Sequence, residues 1–215
     1  MVPRRALLSA PSGRRDRRRL ETAADIVDAA EQIVQAADLE GLTVAALADA
    51  IGLTAGALYR YFPSRDAIVA AVQRRVIARV AAAVDAGVAA APADDRSRIV
   101  AVGDAIVAFA SREPVAYSML SRMFAVPRPL VGDDEAAESM ALAFAAAGRV
   151  RDLFTTARNN GTLGDGDDML RVLALWAAVH GAIQLGKLGR FSPEVRVERI
   201  AREAVDTLLL GWRTP

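Results

Sequence analysis

An all-α fold is predicted by the composition of this chain and by the spacing of its apolar residues. The 215 residues are 53% hydrophobic but only 5% aromatic, so Ala, Val and Leu supply most of the core, and this composition favours packed helices over sheets. Apolar residues recur at helical spacing, and no segment alternates in the way that a strand requires. The length allows one domain or two small ones.

The first helix is expected to begin near Thr22, because Thr22 and Asp25 have the spacing of a capping box. Apolar residues Ile26, Ala30 and Ile33 then follow at helical intervals. Gly41 ends this first unit of structure.

Two short helices joined by a tight turn follow. Thr43 and Thr54 are predicted to cap the second and third helices, and Gly52 supplies the turn between them because glycine adopts positive φ at little cost. Pro63 stops the third helix, which we expect to run from Ala55 to Phe62. Ser64 then caps a long helix that reaches Ala90.

Five further helices are predicted, separated by segments rich in proline, glycine and acidic residues. Their expected ranges are 95–111, 114–125, 134–160, 166–189 and 193–212. The predicted organisation is a flexible basic arm over residues 1–19, a helix-turn-helix domain over 20–66 and a larger helical domain over 67–215.

Charge is unevenly distributed along the chain. Residues 1–20 hold seven arginines and one acid, whereas residues 21–75 hold four basic and eight acidic side chains, and the whole chain has a net charge of only +1. A polyanion would therefore be attracted by the arm and by a few points on the helices, not by the whole surface. The arm either orders on such a partner or remains solvated.

The third helix presents polar and aromatic groups opposite its apolar side. Leu58 and Phe62 are expected to face inward, while Tyr59, Arg60 and Tyr61 are displayed. A helix held in this way fits the major groove of DNA, where an arginine can read guanine and tyrosine hydroxyls can contact phosphate. Tyr61 is equally well explained as a packing residue, Arg60 as a solvated one, and Thr54 as a cap, a phosphate contact or both.

The same segment is similar to a known family. Residues 18–78 resemble the DNA-binding domain of the TetR family of transcriptional regulators, with matches at Leu42-Thr43-Val44, Ala48 to Leu53, Thr54 to Phe62 and Ser64-Arg65-Asp66. The resemblance implies phosphate contacts at Thr43, Tyr59 and Tyr61, and at Arg65, which stands where the family usually has lysine. The candidate DNA contacts are Arg17, Arg18, Arg19, Thr43, Thr54, Ala55, Gly56, Tyr59, Arg60, Tyr61 and Arg65.

The resemblance also implies that the larger domain binds a ligand and dimerises. Leu175 to Gly181 is similar to a recurring element of the regulatory domain in this family. Helices 166–189 and 193–212 are rich enough in apolar residues to form a four-helix interface between two copies, or to be core helices of a monomer. The expected partners are an operator in double-stranded DNA, a second copy of the chain and a small hydrophobic effector, and the expected function is a repressor that this effector releases.

Large apolar side chains in the middle helices are candidates for an effector pocket, although core packing explains each of them as well. A polar handle would come from Tyr117 or from His180, the single histidine, which is otherwise a satisfied buried group. The candidate pocket residues are Phe109, Tyr117, Met119, Met123, Phe124, Met140, Phe144, Phe154, Trp176 and His180.

Two alternatives belong to other functional classes. A DNA-binding regulator without an effector has the same helix-turn-helix. An enzyme would have to use the acidic clusters at 133–135 and 165–168, whose positions before apolar helices instead suit helix N-termini. With no cysteine and one histidine, we expect no catalytic site, metal site or cofactor.

A cytoplasmic location is expected. The absence of cysteine suits a reducing compartment, and no apolar signal segment is evident near the N-terminus. The longest uncharged apolar stretch, Val172 to Gly186, is shorter than the roughly 20 residues that a membrane helix needs.

Overall fold

The computed structural model describes residues 13–125, 131–192, 194 and 196–213, and all the regular structure in those ranges is helical. The prediction of an all-α fold is therefore confirmed. The α-helices are α1 Arg14–Gly41, α2 Val44–Ala50, α3 Ala55–Leu58, α4 Arg65–Ala90, α5 Asp95–Arg112, α6 Pro114–Ala125, α7 Asp133–Asn159, α8 Asp168–Leu185 and α9 Val197–Gly211. A short 3-10 helix, Gly186–Arg190, extends α8.

The chain divides into two compact units, Met1–Val72 and Gln73–Pro215. The division falls inside α4, six residues beyond the predicted boundary at residue 66. Helix α4 therefore contributes its first two turns to one unit and the remainder to the other.

The first unit contains α1, α2, α3 and the start of α4. Ile26, Ala30 and Val34 repeat every four residues on one side of α1 and are almost completely buried, as a helix that covers a small core requires. The helix is kinked at Ala37 and Asp38, and Asp38 has a φ of 56°.

The predicted start of α1 is wrong. The helix begins at Arg14, eight residues before Thr22, and the Thr22 hydroxyl donates a hydrogen bond of 2.9 Å to the Arg18 carbonyl instead of capping. Arginine has a high helix propensity, so the basic segment can form additional turns. Residues 14–19 of the predicted flexible arm are thus helical, and residues 1–12 lie outside the described residues.

The second unit is a bundle in which α5, α7, α8 and α9 pack against one another. Its core includes Phe109 of α5, Phe154 of α7 and Val179 of α8, all at most 1% exposed. Gly103 of α5 permits the close approach of the helices, because a Cβ atom there would lie 3.2–3.3 Å from Val205 and Val179.

A buried ionic cluster connects the ends of α7 and α8. The Asp168 carboxylate, 8% exposed, accepts hydrogen bonds from Arg158, Arg171 and Thr155 at 2.9–3.2 Å. Arg171, also buried, donates to the Gly164 carbonyl at 2.7 Å. Burial raises the pKa of Asp168, but these hydrogen bonds and the charges of the two arginines outweigh burial and hold the pKa below its ordinary value.

Helix α8 and its 3-10 extension combine an apolar composition with low burial. Residues Asp168–Arg190 are long and apolar enough to span a membrane by length and composition alone, and 28% of the most apolar window is buried. Leu170, Leu173, Leu185 and Leu188 are each 46–63% exposed. This face lacks a covering element among the described residues.

We predict that Asp168→Asn destabilises the second unit by about 3 kcal/mol, because it leaves the buried Arg171 guanidinium without its counter-charge. Urea unfolding followed by tryptophan fluorescence measures this change, since both tryptophans, Trp176 and Trp212, lie in the second unit. The depressed pKa means that the stabilisation by Asp168 is present above its ordinary pKa and is lost as the pH falls below it. Asp168→Asn should accordingly show a smaller loss of stability on acidification.

A matched control is Asp152→Asn, which breaks the exposed ion pair between Asp152 and Arg151. The change expected there is at most about 1 kcal/mol. Equal effects of the two substitutions would contradict a special role for the buried cluster.

Candidate nucleic-acid interface

Helices α2 and α3 are capped and joined as the sequence predicts. The Thr43 hydroxyl accepts from the Ala46 N–H at 3.1 Å, and the Thr54 hydroxyl accepts from the Ala57 N–H at 3.2 Å. Gly52 has a φ of +65°, a conformation that residues with a Cβ atom rarely adopt. The three positions together set the direction in which α3 leaves the turn.

One side of α3 is buried and the other is open to solvent. Ala57 and Leu58 are 7% and 1% exposed, whereas Tyr59 is 52% exposed and Arg60 is also exposed. Thr54, Ala55 and Gly56 share the exposed side. The structure thus agrees with the prediction that Tyr59 and Arg60 are displayed opposite the buried Leu58.

The α-helical part of α3 is shorter than predicted. It covers Ala55–Leu58, not Ala55 to Phe62. The chain then tightens: the Arg60 N–H donates to the Ala57 carbonyl at 3.3 Å and the Tyr61 N–H to the Leu58 carbonyl at 2.9 Å. These three-residue intervals are typical of a 3-10 turn at a helix end, and Pro63 disfavours α conformation at the residue before it.

Gly56 has space around it in the absence of a partner. A Cβ atom added there would meet nothing within 4 Å, so packing within the first unit does not require glycine. An uncovered backbone at this point allows close approach by another molecule.

Two arginines make hydrogen bonds to backbone carbonyls near α3. An Arg19 Nη atom donates to the Arg60 carbonyl at 3.4 Å. Arg65 is partly buried, and its Nε and one Nη atom donate to the Leu42 and Leu39 carbonyls at 2.6 and 2.7 Å. Sequence reasoning assigned both residues to DNA and missed these intramolecular bonds, because no local spacing relates Arg65 to Leu42.

The remaining candidates differ in exposure. Arg17, Arg18 and Thr43 are exposed. Tyr61 is half-buried. Both interpretations of Tyr61, packing and contact, thus agree with its position.

An apolar cavity of about 180 Å³ lies in the second unit. Helices α4, α5, α6, α7 and α8 contribute to it. The described charged lining consists of Asp85 and Arg149, which form an exposed ion pair at 3.2 Å. Of the predicted pocket residues, Met140, Phe144 and Trp176 line it. The lining from α4, which sequence reasoning missed, comprises Ile77, Val80, Ala81, Val84 and Asp85.

The other predicted pocket residues have different positions. Phe109, Phe154, Tyr117 and Met119 are buried and do not line this cavity. Large aromatic side chains fill the core of an alanine-rich bundle, and composition alone does not separate this role from ligand contact. The side chains of Met123 and Phe124 lie outside the described residues.

His180 belongs to an aromatic cluster beside the cavity. The Tyr117 hydroxyl and His180 Nδ1 are 2.9 Å apart, and the His180 ring stacks on Trp176 with 5.9 Å between centroids. Burial, with a smaller effect of Lys187, lowers the pKa of His180, and burial raises the pKa of Tyr117. The geometry supports the interpretation of His180 as a satisfied, partly buried polar group.

The acidic clusters occupy helix N-termini, as predicted. The Asp167 carboxylate accepts from the Met169 and Leu170 N–H groups at 2.8 and 3.1 Å and so caps α8, while residues 133–135 form the first turn of α7. Among the residues that the structure describes, no group of three or more His, Asp or Glu side chains is arranged to hold a metal ion.

Two family models match this chain. One, described as bacterial regulatory proteins of the tetR family, matches residues 26–72, and the other, described as a tetracyclin repressor-like C-terminal domain, matches residues 99–208. The second alone covers more than half of the 215 residues. A comparison with curated proteins finds no match.

Several solved structures share the fold. A protein with unknown function from Rhodococcus sp. RHA1 is 23% identical, with a TM-score of 0.76 over 89% of this chain and 95% of that one. The TetR family transcriptional regulator PfmR from Thermus thermophilus is 19% identical, with a TM-score of 0.63 over 86% and 97%. The fatty acid degradation regulator FadR from Bacillus halodurans is 13% identical, with a TM-score of 0.67 over 88% and 99%.

Proposed function

Because the chain belongs to the TetR family of bacterial regulatory proteins and is thus a DNA-binding transcriptional regulator, we propose that it is a homodimeric repressor released by a small apolar ligand. The observation that carries the DNA-binding part is the exposure of Tyr59 and Arg60 directly after α3, next to the buried Leu58.

In the proposed complex, α3 enters the major groove and the surrounding groups hold the backbone. Arg60 reads a base edge, because a guanidinium can donate two hydrogen bonds to guanine. Thr43, Thr54, Tyr59 and Tyr61 contact phosphates through their hydroxyls. Ala55 and Gly56 let the α3 backbone approach closely, which gives a reason for the open space around Gly56.

The N-terminal basic residues add electrostatic attraction. Arg17, Arg18 and Arg19 lie on α1, and all three are exposed. Each one that neutralises a phosphate would release about 0.9 of a counterion. Arg19 has the additional hydrogen bond to the Arg60 carbonyl, which connects the basic segment to the reading helix.

The proposed dimer forms through α8 and α9. The exposed leucines of α8 and its extension require a cover, and a second copy of the same face provides one by two-fold symmetry. Leu210 of α9 is also 60% exposed, and we assign it to the same interface. Two copies also place two reading helices on DNA, where half-sites about 34–36 Å apart match one helical turn.

The proposed effector is small, uncharged and apolar. A cavity of about 180 Å³ with an apolar lining is close in size to an engineered cavity of about 150 Å³ that accepts benzene. Helix α4 lines the cavity at Ile77, Val80 and Val84 and begins at Arg65 in the first unit. A ligand that favours another position of α4 would therefore change operator affinity, and a coupling of about 1–3 kcal/mol suffices for a 5–150-fold effect.

We propose further that the protein is cytoplasmic and acts without a cofactor or a membrane partner. The apolar face of α8 is assigned to the second copy of the chain instead of to lipid. Buried Asp168 and Arg171, close to the start of α8, support this assignment because charged groups are costly inside a bilayer.

We predict that Arg60→Ala relaxes sequence preference at one position in each half-site by about 1–3 kcal/mol. The measurement compares binding of wild type and variant to every single-base variant of the duplex that the wild type selects from a random pool. Equal weakening on all sequences would contradict base reading and would assign Arg60 to phosphate.

We predict that Leu170→Glu yields a monomer of 22.8 kDa, because it introduces a charge into the proposed apolar interface. Leu170 is 63% exposed, so the substitution should leave the fold intact. Sedimentation equilibrium gives the mass. The control is Leu20→Glu, at a leucine of α1 that is 59% exposed, which should remain dimeric. A monomeric wild type, or a dimeric Leu170→Glu variant, would exclude this interface.

We predict that toluene, used as a probe, changes the emission of Trp176 and weakens operator binding. Trp176 lines the cavity, and Trp212→Phe leaves it as the sole tryptophan. Ala147→Leu, which fills part of the cavity, should abolish both responses, whereas Ala145→Leu on the exposed side of α7 should preserve them. A full Trp176 response without any change in operator affinity would instead favour a regulator that has no effector.

A further inference from the structure

Arg65 is held in a way that differs from the phosphate contact expected at its position. Its Nε and one Nη atom donate to two different carbonyls, Leu42 at 2.6 Å and Leu39 at 2.7 Å. The side chain is half-buried, and hydrogen bonds from a charged donor in such a site are stronger than exposed ones. The guanidinium is therefore already committed to the protein backbone before any DNA arrives.

The two carbonyls end α1 and lead directly into Thr43. Leu42 is the C-cap of α1, and its carbonyl belongs to the peptide group whose N–H is that of Thr43. That N–H donates to the Gly41 carbonyl at 2.9 Å. The peptide before Thr43 is thus held on both sides, by Arg65 at its oxygen and by Gly41 at its nitrogen.

A lysine at residue 65 could not hold the peptide in this way. The planar guanidinium offers donors in a rigid fork, so two bonds to two carbonyls fix its orientation, whereas an ammonium group is a point charge on a flexible chain.

We propose that Arg65 is a positioning residue that orients Thr43 for its phosphate, and that it does not itself contact DNA. This inference rests on the proposed role of Thr43 in operator binding. Since Arg65 is the first residue of α4, the same two hydrogen bonds connect the helix that lines the cavity with a group that touches the operator.

The test is a pair of double-mutant cycles on the full chain, using the duplex that the wild type selects and a scrambled duplex of the same composition. Arg65→Lys keeps the charge and removes the fork, so we expect about tenfold weaker binding to the selected duplex with an unchanged salt dependence. Circular dichroism verifies that each variant remains folded at the assay temperature, and Arg65→Gln provides a second variant without the fork.

The first cycle combines Arg65→Lys with Thr43→Ala, and the control cycle combines it with Thr54→Ala. Thr43 and Thr54 are both N-caps, each with one hydrogen bond to a backbone N–H, so each substitution removes a comparable cap. We expect the losses to be non-additive with Thr43→Ala and additive with Thr54→Ala, since coupling is confined to residues that act through one another.

Three results would overturn the proposal. In the first, Arg65→Lys binds the selected duplex as tightly as the wild type, and the dependence of log K on log salt concentration is about 0.9 less steep in Arg65→Ala. This result would make Arg65 a phosphate contact. Equal coupling in both cycles would give Arg65 a general structural role. If Thr43→Ala bound the operator like the wild type, the proposed role of Thr43 would fail as well, which separates that failure from the first two.

Discussion

The display of α3 depends on the burial of Leu58 beneath it. A single α-helical turn of four residues, Ala55–Leu58, has almost no stability by itself, because helix nucleation costs more than one turn of hydrogen bonds returns. Leu58 is 1% exposed and Leu47 of the adjoining α2 is fully buried. Because the burial of Leu58 holds α3 in place, the opposite side of α3 remains exposed to solvent. The helix caps and the Gly52 turn then determine the direction of α3.

The apolar face of α8, unlike the buried side of α3, has no covering element within the described residues. The second unit has a close-packed interior, in which Gly103 brings α5 against α8 and α9, yet leucines along α8 remain about half exposed. Large exposed apolar patches on soluble proteins mark interaction sites. The buried ionic cluster around Asp168 holds the start of this helix, which fixes one end of the face that we propose as the dimer interface.

Local chemistry explains which features could be predicted from the sequence. Thr43, Thr54 and Ser64 cap the helices that follow them, and the hydroxyl of each accepts a hydrogen bond from a backbone N–H three residues later. Gly52 has the positive φ that its position in the turn requires. Such signals lie within a few residues of one another, so spacing reveals them.

Features that depend on the surrounding structure could not be read in this way. The Thr22 hydroxyl can either cap a new helix or donate to the carbonyl four residues earlier, and it does the second because the basic segment before it is helical. Arg65 and Leu42 are 23 residues apart in sequence. The cavity needs five helices to be placed together, and Phe109 and Phe154, although large and apolar, lie in the core instead.

The insertion of α3 into the major groove is tested most directly by dimethyl sulfate footprinting of the operator complex. The reagent methylates guanine N7 in the major groove and adenine N3 in the minor groove. A protein bound in one groove shields the atom in that groove and leaves the other atom reactive. Protection of guanine N7 in two patches about one helical turn apart is expected. Full reactivity at every guanine N7, with protection limited to adenine N3, would contradict the account.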